Sequence, residues 1–167
     1  WLTMRKMMDM TRGAEEFDIT PMGGVPNHDA DGITAFLDTG VQGGMLPHVN
    51  TEEEADKVSK AARYYPLGNR GHFAGGRPAL WGLADRFEYF KHANEQTLVM
   101  AQFEEIKALD HLDAILAVDG VDAIVLGPGD LAQSMGWPSA EELETVVDTV
   151  IQKPVKAGTW VSEPGVK

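Results

Sequence analysis

Thr97-Leu98-Val99-Met100-Ala101-Gln102-Phe103-Glu104 and Val121-Asp122-Ala123-Ile124-Val125-Leu126-Gly127-Pro128-Gly129-Asp130-Leu131 decide the fold. Each is a short apolar run that ends in a carboxylate, and a helical pattern over residues 106–118 separates them. Strand, helix, strand in that order is the unit of a parallel sheet. In such sheets function gathers at the carboxyl ends of the strands. Glu104 and Asp130 therefore point into one mouth. Hard oxygen donors placed this way suit Mg²⁺ or Mn²⁺, which keep open positions for water and an anionic substrate. The structural alternative is that Glu104 starts a helix and Asp130 caps one.

Outward from this pair the alternation continues. Residues 2–11 carry a methionine-rich helical stripe (Met4, Met7, Met8, Met10), read as core-facing. Residues 17–25 read as a strand ending Gly23-Gly24-Val25-Pro26, and residues 29–37 as a helix closed by Gly40. Residues 41–49 read as the next strand, ending Leu46-Pro47-His48. Thr51 and Glu54 read as a capping box opening a helix that must stop near Pro66. Residues 68–78 form a Gly-rich loop long enough to be functional, and residues 80–93 read as a helix. Ser139 and Glu142 spell a second capping box, for a helix with Leu143, Val146, Val147 and Ile151 inward and Pro154 at its end. Residues 159–162 read as a last strand. The expected strand ends are thus five: Pro26, Pro47, Glu104, Pro128 and Ser162.

The chain has 167 residues, enough for one domain with a sizeable core. Its 26 acidic against 14 basic side chains give a net charge of −12, which argues against nucleic acid or an anionic membrane as partner. With no cysteine there is no disulfide or thiol chemistry. No apolar run reaches membrane-span length and no signal-peptide pattern is present, so a cytoplasmic protein is expected. Neither GxGxxG nor GxxxxGK[ST] occurs, leaving nucleotide folds without support. Trp81, Phe87, Tyr89 and Phe90 read as core or oligomer contacts, since no basic groove surrounds them.

Taken in order, four stretches resemble the metal-dependent HpcH/HpaI aldolases: Ala35-Phe36-Leu37-Asp38-Thr39-Gly40-Val41-Gln42-Gly43-Gly44-Met45-Leu46-Pro47-His48-Val49-Asn50-Thr51, Tyr65-Pro66-Leu67-Gly68-Asn69-Arg70-Gly71, Gln102-Phe103-Glu104, and residues 112–122 leading into Gly127-Pro128-Gly129-Asp130-Leu131. The similarity spans residues 21–137 with compatible spacing. The resemblance implies a TIM (β/α)₈ barrel, a divalent cation (Mg²⁺, Mn²⁺ or Co²⁺), and cleavage or formation of 4-hydroxy-2-oxo acids through a pyruvate enolate. Pyruvate or another 2-oxo acid and an aldehyde are then the partners, and a trimer-based homo-oligomer, commonly a hexamer, the assembly. Motif by motif, it implies Glu104 and Asp130 as metal ligands, Gln102 as the side chain touching the bound keto acid, and the N–H groups of Gly129 and Asp130 as receivers of its carboxylate.

Two departures stand out. The family's Arg before Val-Pro is here Gly24, and its catalytic His lies upstream of Trp1. Arg70, in the Gly-rich loop, is the candidate replacement cation; a loop salt bridge is its structural alternative. His28 and His48, at strand ends, could face the site. His72 shares the loop with Arg70, while His92 and His111 read as helical surface. Lys107 follows Glu104 within a helix, poorly placed for a Schiff base. A barrel typically needs about 200 residues, so residues 1–167 are expected to be a single α/β barrel domain lacking its first βα units and its C-terminal end. Beside the aldolase stand two alternatives: a citrate-lyase-type C–C lyase, and a catalytically impaired homologue or fragment acting as an anion-binding or oligomer subunit.

Overall fold

The computed structural model describes residues 3–153 and 160–161. Leu2, Pro154, Thr159 and Ser162 lie outside them, as therefore does the expected role of Pro154. The order is α1 (Met4–Glu16), β1 (Met22–Gly24), α2 (Ala30–Leu37), β2 (Gly43–Leu46), α3 (Glu52–Ala62), a 3₁₀ segment (Arg77–Gly82), α4 (Arg86–Gln96), β3 (Leu98–Phe103), a second 3₁₀ segment (Ile106–His111), α5 (Leu112–Ala117), β4 (Ala123–Leu126), α6 (Pro128–Ser134), α7 (Ala140–Ile151) and β5 (Trp160–Val161). The five described strands form one sheet in sequential order, all pairs parallel. Among the described residues no helix is long and apolar enough to cross a membrane.

Alternation along the strands sorts the side chains into two layers. Val99, Ala101 and Phe103 of β3 and Ile124 and Leu126 of β4 join Phe36, Val58, Leu112, Ile115 and Leu131 from the helices in one buried core. The intervening positions, Met100 and Gln102, face the other side of the sheet. Glycines keep that side narrow. A Cβ on Gly43 would stand 2.5 Å from Met22 Cε and 2.9 Å from Leu98 Cβ, so β1 to β3 close up only because β2 is bare there.

At the N-terminal edge of the sheet Arg63 acts as a fastener. Its buried guanidinium donates to the Thr97 carbonyl (2.7 Å), the Gly120 carbonyl (3.3 Å) and Asp122 Oδ2 (2.9 Å). Asp122 also accepts the Val99 N–H at 2.7 Å. One ion pair thus ties α3 to the starts of β3 and β4.

Several local expectations change. The first helix runs on to Glu16, and residues 17–21 are not strand. Phe17 and Ile19 look β-forming, but their N–H groups close the helix on the Ala14 carbonyl with Asp18 left-handed (φ 55°), and both side chains are exposed. The next strand shrinks from residues 41–49 to Gly43–Leu46. Thr51 caps α3, its hydroxyl accepting from the Glu54 N–H at 3.2 Å, yet the Glu54 carboxylate takes the N–H of Asn50 rather than Thr51, so the box is not reciprocal. At Ser139 the reciprocal box is present. The helix expected over residues 80–93 begins only at Arg86, capped by Asp85, because Leu80 and Trp81 sit at φ 51° and 58°. The helix over residues 106–118 splits at His111, which is exposed. Trp81 and Phe87 are exposed, contrary to a core role; Tyr89 and Phe90 are half-buried, Phe90 stacking on Tyr64. Of the methionine stripe, Met7 packs on the core while Met10 is 59 % exposed.

Candidate functional site

Parallel pairing of β3 and β4 in the register Phe103↔Leu126 sets Glu104 beside Gly127. The Gly127 N–H continues the ladder to the Phe103 carbonyl at 2.9 Å. A Cβ built on Gly127 would lie 3.0 Å from Glu104 Cβ, 3.1 Å from Gln102 Nε2 and 3.2 Å from Glu104 Oε2. Gln102, Glu104 and the bare Gly127 therefore converge on one spot at the strand ends. Pro128 at the first turn of α6 follows directly, with Gly129 and Asp130 exposed beside it. Apart from its chain neighbours and its own helix backbone, no atom stands within 4 Å of where a Gly129 Cβ would be, so the space beside it is open.

Glu104 is only 3 % exposed, and its position is fixed from β2. Its Oε1 accepts the His48 backbone N–H at 2.8 Å, with the His48 ring Nδ1 at 3.2 Å. His48 adopts a left-handed conformation (φ 53°) to do so. The same ring nitrogen lies 2.9 Å from Glu105 Oε1. Glu105 also receives the Asn50 amide (3.2 Å) and the Lys107 ammonium (2.7 Å). Lys107 first, with Asn50 and His48 adding to it, holds the Glu105 carboxyl below its usual range against the opposing effect of burial. In return Glu105 raises the Lys107 pKa, the opposite of what a Schiff-base amine needs. Above this network lies a cavity of about 340 Å³ lined by His28, His48, Asn50, Glu105 and Lys107 among others. His28 reaches it from β1's end, its Nε2 against the Pro47 carbonyl. Both strand-end histidines thus stand at the rim.

Arg70 does not. Its guanidinium, with a side chain 3 % exposed, pairs with Asp38 at 2.6 Å and lies over the Tyr64 ring at 4.7 Å. It lines a cavity with Gly40, Val41, Gln42 and Thr97, the residues that precede β2 and β3. That is the N-terminal end of the sheet, opposite Glu104. The loop salt bridge, not the replacement cation, is what the fold makes of Arg70, because its backbone N–H is tied to the Arg63 carbonyl at the end of α3. His72 sits against Phe90 and Arg86, and His92 is exposed beside Arg70's cavity; neither is among the groups gathered around Glu104. Gly24 ends β1 with nothing within 4 Å of an added Cβ. Neither Gly127 nor the His48 backbone is given a role by the sequence; the Pro47-His48 pair at a strand end is the available signal.

Among the described residues no group of three or more His, Cys, Asp or Glu side chains forms a ready metal cage. The residues nonetheless fit a hard divalent ion. Mg²⁺ in particular is commonly held by one or two carboxylates, with water and substrate completing the shell. Glu104 presents Oε2 toward the space left by Gly127, with Oε1 already engaged.

Comparison with known proteins places this arrangement. The sequence profile of the HpcH/HpaI aldolase/citrate lyase family matches residues 18–160. A Novosphingobium aromaticivorans protein named 4-hydroxy-2-oxovalerate aldolase is 42% identical over 122 residues, 73% of this chain and 45% of that protein. A 2-keto-3-deoxy-L-rhamnonate aldolase of Salmonella paratyphi B is 40% identical over 130 residues, 75% of this chain and 48% of the relative. The chain thus spans about half the length of these relatives. Among solved structures, a family protein from Burkholderia cenocepacia superimposes with TM-score 0.87 at 26% identity, covering 95% of this chain and 65% of that one. The HpcH/HpaI aldolase of Desulfitobacterium hafniense gives 0.81 at 29%, covering 91% and 60%. The sequential parallel sheet is accordingly part of a TIM barrel, and the chain belongs to the HpcH/HpaI aldolase/citrate lyase family.

Proposed function

We propose that the protein is a divalent-metal-dependent aldolase that cleaves or forms 4-hydroxy-2-oxo acids. The observation that carries this is the convergence of Gln102, Glu104 and Gly127 at the ends of β3 and β4, next to the Gly129-Asp130 turn. Glu104 and Asp130 would hold Mg²⁺, Mn²⁺ or Co²⁺. When bound, the ion polarises the keto oxygen and spreads the enolate's charge. Gln102 orients the 2-oxo acid, and the N–H groups of Gly129 and Asp130 receive its carboxylate. In the cleavage direction the C3–C4 bond breaks as the C4 hydroxyl loses its proton. The aldehyde leaves, and the electron pair stays on the pyruvate enolate until C3 is protonated. A trimer-based homo-oligomer, commonly a hexamer in the family it belongs to, is the proposed assembly. The exposed Phe73, Leu80, Trp81, Leu83 and Phe87 within one segment support it.

Gly24 favours a second reading: with no arginine at the end of β1 and Arg70 held at the opposite end, an impaired homologue that binds 2-oxo acids without turning them over. One experiment separates the two. Release of pyruvate from 4-hydroxy-2-oxovalerate should cease on exhaustive EDTA treatment and return with Mn²⁺. Activity that survives metal removal refutes metal dependence. Oxalate binding in Mn²⁺ without any turnover selects the second reading.

A further inference from the structure

Two consecutive carboxylates, Glu104 and Glu105, follow β3. The turn after β2 engages each of them differently. The backbone N–H of His48 takes Glu104 Oε1 at 2.8 Å, leaving Oε2 on the side of Gly127. The ring Nδ1 of the same residue lies 2.9 Å from Glu105 Oε1 and 3.2 Å from Glu104 Oε1, and Glu105 is drawn to its own side by the Asn50 amide and the Lys107 ammonium as well. Asn50 in turn donates to the His48 carbonyl at 2.9 Å, and its own N–H is taken by Glu54 at 2.7 Å. The left-handed φ of 53° at His48 aims N–H and ring at the two carboxylates together.

We infer that His48 is a positioning residue that sorts the two carboxylates, presenting one oxygen of Glu104 to the metal and tethering Glu105 away from it. The inference rests on the metal-site reading above and adds its selectivity. A single-oxygen carboxylate suits Mg²⁺ and Mn²⁺, which want near-octahedral shells. Ca²⁺ accepts six to eight oxygens, and its affinity rises with the number of charged ligands. Releasing Glu105 should therefore favour Ca²⁺.

The test is calorimetric titration of the protein with Mn²⁺ and with Ca²⁺. His48→Gly keeps the N–H and the left-handed backbone but removes the ring; the Ca²⁺/Mn²⁺ affinity ratio should rise about tenfold. Adding Glu105→Gln to that variant should return the ratio to the wild-type value, since the competing charge is gone. His48→Asn, which tolerates left-handed φ and can donate from its amide, should stay near wild type. His48→Val, strained at positive φ, should lose on the order of 10- to 100-fold in Mn²⁺ affinity, as orienting groups around metal ligands do. Wild-type protein that binds neither ion overturns the metal-site reading and this inference with it. Wild-type binding with His48→Gly and His48→Val both within twofold in affinity and ratio overturns the inference alone. If His48→Val fails to fold, the His48→Gly ratio and its reversal by Glu105→Gln still decide.

Discussion

Gly127→Ala is the most informative single methyl group that can be added to this protein. The backbone there (φ −107°, ψ 79°) is open to alanine, so any effect must come from contact rather than strain. The new Cβ would meet Glu104 Cβ at 3.0 Å, Gln102 Nε2 at 3.1 Å and Glu104 Oε2 at 3.2 Å, where relaxed contacts stand near 3.5–4.0 Å. The strands cannot part to absorb this, because the Gly127 N–H is bonded to the Phe103 carbonyl at 2.9 Å. The side chains of Glu104 and Gln102 must give instead, by roughly half an ångström, which is about the tolerance of a working site. Overpacking of this kind costs about 1–3 kcal/mol in stability. Misorienting a metal-ligand shell costs about 10- to 100-fold in affinity. Mn²⁺ titration should therefore show Kd raised by about that factor, with pyruvate release falling alongside and the fold kept by circular dichroism. Gly13→Ala is the control: a Cβ there, inside α1, meets nothing within 4 Å. It should stabilise by about 0.5–1 kcal/mol and leave Mn²⁺ binding unchanged. A folded Gly127→Ala protein with Mn²⁺ affinity within twofold of wild type would refute the proposal that the space beside Gly127 receives the ion.

Further outcomes follow from other parts of the fold. Gly24→Arg should fold normally, since its Cβ enters open space. If a cation at β1's end restores a charge-assisted bond of about 1.5–3 kcal/mol, it should raise pyruvate proton exchange about ten- to a hundredfold. Unchanged exchange would show that the keto oxygen is bound elsewhere. Arg70→Ala should lower stability by about 2–4 kcal/mol through loss of the Asp38 pair and the Tyr64 contact while leaving Mn²⁺ affinity alone. A loss of metal affinity without destabilisation would return Arg70 to the mouth. Asp122→Ala should cost about 3 kcal/mol in urea denaturation, at the low end for a broken buried pair because Asp122 itself is 29% exposed. At the start of α7, the Ser139 backbone N–H and hydroxyl hold the Glu142 pKa below its ordinary 4.5. A depressed carboxylate stabilises above that ordinary value and loses its contribution as pH falls through the lower, folded-state one. Ser139→Ala should accordingly move the Glu142 NMR titration upward, and its stability deficit should narrow below pH 4.5; an unmoved titration would contradict the capping geometry.

Much of this protein was legible in its residue order. The runs into Glu104 and Asp130 announced parallel strands because apolar stretches of strand length, separated by a helical period, leave few other packings. Ser139 and Glu142 announced a helix start because both partners of the cap lie within one turn. The same locality set the limits. Phe17 and Ile19 carry strand-forming side chains, but the Thr3-capped helix and the left-handed Asp18 beside them claimed that backbone. Leu80 and Trp81 fit a helical pattern and instead take positive φ, for which the sequence offers no marker. The motif named Gln102, Glu104 and the Gly129-Asp130 turn as candidates, but could not say that the bare Gly127 leaves a space open beside Gln102 and Glu104. Nor could it say that His48, 56 residues before Glu104, grips its carboxylate. Arg70 was free to be a loop cation until the chain folded back on α3 and set it beside Asp38. Helix caps and strand periods are fixed by neighbours along the chain. Which end of the sheet a guanidinium reaches, and which carboxylate oxygen is left open, is fixed only when parallel strands set distant residues in register.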